Sequence, residues 1–139
     1  MSNCCERKRP AKTELSSCCG ADKKTVLLYA CSGGANVAEI SDKAARELMF
    51  AGEGTMFCLA GLGGDIQGMV QTARDADVNL IIDGCPMECA KKIFDRHGLT
   101  NYREIKVTDL GIEKVKGVRC TKEQVDRVIA KAKEIINAV

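Results

Sequence analysis

"IIDGCPMECAKK" (81–92) changes character halfway along its length. Residues 81–83 finish an apolar run, "VNLIID" (78–83), that reads as a buried strand. After Asp83-Gly84-Cys85 the spacing of Ala90, Ile93 and Phe94 becomes helical, and His97-Gly98 closes the segment. Pro86 suits the first turn of such a helix, where its missing N–H removes no bond. A strand feeding directly into a helix is the joint of a βαβ unit, so this stretch predicts a parallel sheet.

The same punctuation recurs on both sides. Upstream, "TVLLYAC" (25–31) is a short apolar run followed by "SGG". Asn36 and Glu39 then form a capping-box pattern ahead of Val37, Ile40, Ala44, Leu48 and Met49. "TMFCLAG" (55–61) is a second strand candidate, again followed by glycines, and Asp65 is placed to cap a helix whose inner face is Ile66, Met69, Val70 and Ala73. Downstream, "YREIKVTDL" (102–110) alternates partially, as an edge strand does. Thr121 and Gln124 make another capping box, and Val125, Val128, Ile129, Ala132, Ile135 and Ile136 line the last helix. The order β-α-β-α-β-α-β-α predicts an α/β fold. The arrangement expected is a small three-layer doubly wound sheet of four parallel strands in the order 2-1-3-4. Residues 24–139 form that domain. Residues 1–23 are polar, lack periodicity and contain Pro10, which reads as a flexible, disordered arm.

Composition limits the function classes. The 139 residues are 45% hydrophobic but contain no tryptophan, so aliphatic residues must fill the core. No apolar run reaches the roughly 18 residues of a membrane helix. The N-terminal "MSNCCERKRPAK" lacks the hydrophobic segment of a signal peptide, so a cytoplasmic location is expected. Residues 1–24 hold six basic and three acidic residues against 15 and 16 in the rest. That near-neutral body gives no reason to expect nucleic-acid binding.

Nine cysteines in a reducing compartment point to metal or redox chemistry. Cys31 closes the first strand, Cys58 lies near the end of the second, and Cys85 follows the third. In a parallel sheet of order 2-1-3 these ends are neighbours, roughly 4.8 Å apart. A tetrahedral zinc ion with Zn–S bonds of about 2.3 Å needs sulfurs roughly 3.8 Å apart, within reach of such ends. Cys89, in the first turn of the next helix, faces back toward the same edge. Cys31, Cys58, Cys85 and Cys89 are therefore the predicted metal ligands, with a metal ion as partner and zinc as the first candidate.

Helix N-termini and Gly33, Gly34, Gly61, Gly63, Gly64 and Gly84 would bring amides toward the sulfurs, with Lys91 and Lys92 as outer charges. Asp83 either orients backbone amides or serves a simple turn. The same cysteines also suit an iron–sulfur cluster, or thiol redox and sulfur-transfer chemistry. His97, the only histidine, fits a helix C-terminus better than a Cys-His pair, so binding is favoured over catalysis. A phosphatase loop fails because Val37 stands where Cys-x5-Arg needs arginine, and "GLGGDIQG" lacks the Gly-Lys-Ser/Thr of a P-loop.

At "CSGGANV", "CLAGLGG", "IDGCPMECAKK" and "VTDLGIEK" the sequence resembles the DGC-domain family, over about residues 25–138. The family takes its name from the motif that stands here as Asp83-Gly84-Cys85 and is described as zinc-binding. The resemblance implies chelation by Cys31, Cys58, Cys85 and Cys89. Four further thiols, Cys4-Cys5 and Cys18-Cys19, precede the resemblance. They suit a second soft ion, delivery of metal to the main site, or pairing with another chain. Cys120, just before the last helix, either approaches the main site or is incidental.

Overall fold

A computed structural model describes residues 23–139; the readings made on Cys4, Cys5, Cys18 and Cys19 lie outside the described residues. The elements are β1 (Val26–Ala30), α1 (Asn36–Phe50), β2 (Thr55–Met56), α2 (Leu59–Gly63), α3 (Gln67–Asp75), β3 (Val78–Asp83), α4 (Cys89–Arg96), β4 (Tyr102–Lys106) and α5 (Lys122–Asn137). A 3-10 turn at Val107–Leu110 follows β4. All four strands are parallel, in the order β2-β1-β3-β4.

The core has two halves, one on each face of the sheet. On one side Leu28, Leu80, Ile82 and Ile105 pack against Val37, Ile40, Leu48, Val125 and Val128 of α1 and α5. On the other, Leu27, Tyr29 and Ile81 meet Leu62, Val70, Ala73, Ala90 and Phe94 of α2, α3 and α4. This is the expected three-layer arrangement. Every residue of β3 is buried, as a central strand covered on both faces requires. Tyr29 sits edge-on between Phe57 and Phe94.

Local readings differ from the structure where a tertiary partner outbids a local one. The second strand stops after Met56, and "CLAGLG" turns into the short helix α2. Asp65 caps nothing; it adopts a left-handed conformation (φ +59°) and pairs with Arg96. Ile66, expected inside, is exposed. Pro86 lies in the turn before α4 rather than in its first turn. The fourth strand gives way to the 3-10 turn after Lys106. The Thr121–Gln124 capping box is present with both of its reciprocal bonds. His97 is the C-cap of α4, as read from the sequence, and its Nε2 lies 2.7 Å from the Leu62 carbonyl oxygen.

Candidate metal centre

The corner between β3 and α4 is built around a buried carboxylate. Asp83 ends the strand, and its two oxygens accept the N–H groups of Ala90 (2.9 Å) and Lys91 (3.0 Å). It thus satisfies two of the orphan amides of the α4 N-terminus from seven and eight residues upstream. Of the two roles read for Asp83, this is the orienting one. Glu88 precedes the helix in a left-handed conformation (φ +51°), its N–H bonded to the Cys85 carbonyl and its carboxylate to Lys106 of β4 at 2.7 Å. The Lys106 ammonium holds the Glu88 carboxyl below the usual carboxylate range. The tight turn sets Cys85 at one end and Cys89 at the first helical position.

Gly84 brings the neighbouring strand's thiol into this corner. Its N–H donates to Cys31 Sγ at 3.1 Å. A β-carbon on Gly84 would lie 3.1 Å from that sulfur and 3.0 Å from Cγ2 of Val37, so the position admits no side chain without displacement. The Cys31 thiol donates in turn to Ser41 Oγ at 3.7 Å. Burial pushes this thiol up, against the pull of the Ser41 and Gly84 bonds.

Cys31, Cys85 and Cys89 line a single open cavity of about 420 Å³ at the C-terminal edge of β1 and β3. Ser32–Ala35, Gly84, Met87, Lys114 and Lys116 form most of its remaining wall. Cys58 is on the next corner, outside that lining. It is the N-cap of α2, and its sulfur accepts the Gly61 N–H at 3.3 Å. The expectation that glycines approach the sulfurs therefore holds in two places, Gly61 and Gly84. Lys91 pairs with Glu88, and neither it nor Lys92 lines the cavity. Cys120 lines a different cleft with Lys43, Glu47 and Lys122. Among the described residues, no trio of Cys, His, Asp or Glu side chains stands in a ready-made ligating arrangement.

The sequence reading missed the cationic wall. Lys114 Nζ lies 3.3 Å from Cys85 Sγ, and Lys116 lines the same cavity. Both belong to a strap between the 3-10 turn and α5 that α1 holds down. Buried Asn36 does not cap α1. Its side chain donates to Glu113 O (2.9 Å) and accepts from Val115 N (2.7 Å). Gly117, at φ +70°, donates its N–H to Gly34 O, and Ala35 and Lys116 form an antiparallel bridge. Glu39 accepts the Cys120 N–H at the far end, and Lys43 beside it holds its carboxyl down at about 2. The alternation of "EKVKG" (113–117) was the available signal, since residues two apart in extended chain share a side.

Because buried Asn36 makes two bonds to the strap backbone, Asn36→Ala is expected to cost about 1–3 kcal/mol and to loosen the strap first. Hydrogen exchange at Val115 and Gly117 reports it. Rates unchanged relative to α5 would show that Asn36 does not anchor the strap.

The geometry defines a class: a parallel α/β domain that gathers cysteines where its strands end and its helices begin. The chain belongs to the DGC-domain family, whose sequence model, described as the DGC domain, matches residues 27–132. It is similar to the "Anaerobic and virulence modulator AnvM" of Pseudomonas aeruginosa, 32% identical over 115 residues that cover 83% of this chain and 88% of the relative. No solved structure matches it. Among the described residues, no helix is long and apolar enough to cross a membrane.

Proposed function

We propose that this chain binds a thiophilic metal ion, zinc in the first place, at the C-terminal edge of its sheet. The donors come from the set Cys31, Cys58, Cys85 and Cys89. The observation that carries the reading is that Cys31, Cys85 and Cys89, from two strand ends and a helix start, line one cavity. The donor chemistry fits: thiolates suit zinc and other soft ions. Gly84 N–H and the Lys114 ammonium already face two of these sulfurs and offset the negative charge that metal-bound thiolates bring. The open edge favours exchange of the ion over a closed structural site. The name of the similar protein, an anaerobic and virulence modulator, favours sensing over storage.

The test is metal content per chain after anaerobic purification, with the visible spectrum. One colourless zinc per chain is expected. Serine replacement of Cys31, Cys85 or Cys89 is expected to weaken zinc binding by more than about a hundredfold, beyond the range of losing an outer-shell partner. Iron with brown absorbance would replace zinc by an iron–sulfur cluster, and full zinc retention in all three variants would sink the assignment. A second reading, a thiol redox or sulfur-transfer protein, rests on the placement of the Lys114 side chain 3.3 Å from the Cys85 sulfur. A metal-free chain with selectively alkylated Cys85 would support it.

A further inference from the structure

We infer that this cavity seats the phosphate group of a small organic phosphomonoester, held between the loop 32–35 and the lysines of the strap. None of the donors involved is a thiol, so the inference goes beyond the metal-binding reading and stands apart from it.

One wall is cationic. Lys114 and Lys116 line the cavity, and no Asp or Glu does. Neither lysine pairs with a carboxylate among the described residues. Glu113 precedes Lys114, but in extended chain it takes the other side, and it does not line the cavity. Contact with Cys85 Sγ occupies one N–H of the Lys114 ammonium and leaves two.

The adjoining wall is made of amides. The Gly117 N–H to Gly34 O bond and the Ala35–Lys116 bridge tie the strap to the loop, so lysines and loop are held side by side. Among the described residues, the N–H groups of Gly33, Gly34, Ala35 and Val37 meet no acceptor. All four residues line the cavity, at the start of the 15-residue helix α1, whose dipole favours an anion there. Neither conformation nor packing demands glycine at 33 or 34. Neither has a positive φ, and a β-carbon would meet nothing closer than Ala38 Cβ at 3.9 Å. The bare backbone leaves open amides instead.

Charge and size select the ligand. A phosphomonoester dianion matches the two ammoniums and offers three acceptor oxygens to the amides. The volume, about 420 Å³, is that of a small-molecule site and leaves room for an organic remainder against Val37, Ala38 and Met87. The cation that Val37 denies to a Cys-x5-Arg loop thus comes from the strap. The ligand is bound intact, and no bond is made or broken.

The experiment titrates inorganic phosphate and phenyl phosphate into the reduced, metal-free full chain, uniformly labelled with nitrogen-15. It is run at about pH 7.5, where the ester is a dianion, with ionic strength held by chloride. The amide signals of Gly33, Gly34, Ala35 and Val37 are expected to move downfield together. Phenyl phosphate is expected to saturate them at about a tenth of the concentration, because part of its ring is buried. In the Lys114→Gln, Lys116→Gln double variant both titrations are expected to need about five- to tenfold more ligand, since both lysines are exposed. The Gly33→Ala, Gly34→Ala double variant is expected to lose affinity similarly at an unchanged melting temperature. Signals outside the cavity that match the parent's show that each variant is folded.

Three results would overturn the inference: equal shifts from chloride alone, shifts that bypass residues 33–37, or a lysine double variant that titrates like the parent. Saturation by both probes at one concentration would overturn the organic ester. Zinc content bears on none of these outcomes, so the metal reading fails or survives by its own test.

Discussion

Asp83→Ala is expected to lower the free energy of unfolding by about 2–4 kcal/mol, because it removes a charged acceptor from two helix-start amides at once. Asp83 is 1% exposed, and of its two partners the Ala90 amide is buried and the Lys91 amide half-buried. Both amides belong to the first turn of α4, and the Cys89 thiol is carried on that turn. Metal affinity should therefore fall together with stability. Asp83→Asn keeps one acceptor and turns an NH2 toward the other amide, so about half the loss is expected to return. Urea melts of the three proteins, with zinc affinity measured on each, test the account. An alanine variant that melts like the parent would show that α4 does not depend on this carboxylate.

Gly84→Ala tests the same corner by crowding. The added methyl would meet Val37 on one side and the Cys31 sulfur on the other, both near 3 Å. Backbone atoms of Val37 stand behind them at 3.2 Å, so relief requires moving α1 or the strand end. Overpacking of this kind costs about 1–3 kcal/mol. Its diagnostic feature is local: the Gly84 N–H to Cys31 bond lengthens, and Cys31 shifts away from Cys85. Zinc affinity is expected to drop by at least about tenfold, a loss comparable to that of an outer-shell partner. Thermal denaturation and a chelator competition measure the two effects separately. Native affinity in a destabilised variant would mean that Cys31 is not part of the site.

Asp83, Gly84 and Cys85 thus divide one task among three chemistries. The acid fixes the helix, the glycine admits the adjacent strand's thiol, and the cysteine is a proposed donor. Substituting any of them disturbs the other two, because all three act through the same few ångströms of backbone.

Amino-acid order alone determined the architecture. Short apolar runs separated by helical periods allow only a parallel sheet with helices on both faces. The burial of "VNLIID" on both sides further identifies β3 as central. The shared edge of Cys31, Cys85 and Cys89 followed from register, since parallel strands place like ends together. Local competition was harder to read. Asn36 looked like half of a capping box, yet it binds residues 77 and 79 positions away. Asp65 likewise gave up a cap for Arg96, 31 residues on. Asn36 is buried, so it takes the partners that burial makes costly to leave unsatisfied, whereas the Asp65–Arg96 pair is exposed. That choice depends on which segments meet.

Tertiary structure alone decided the rest of the candidate site. Only folding sets Lys114 against Cys85, 29 residues away, because the alternation of the strap puts Lys114 and Lys116 on one side but does not say what that side faces until α1 clamps it. Only folding ends β2 at Met56 and turns Cys58 onto α2, outside the cavity. A run of apolar residues specifies burial but not the point at which a strand gives way to a helix.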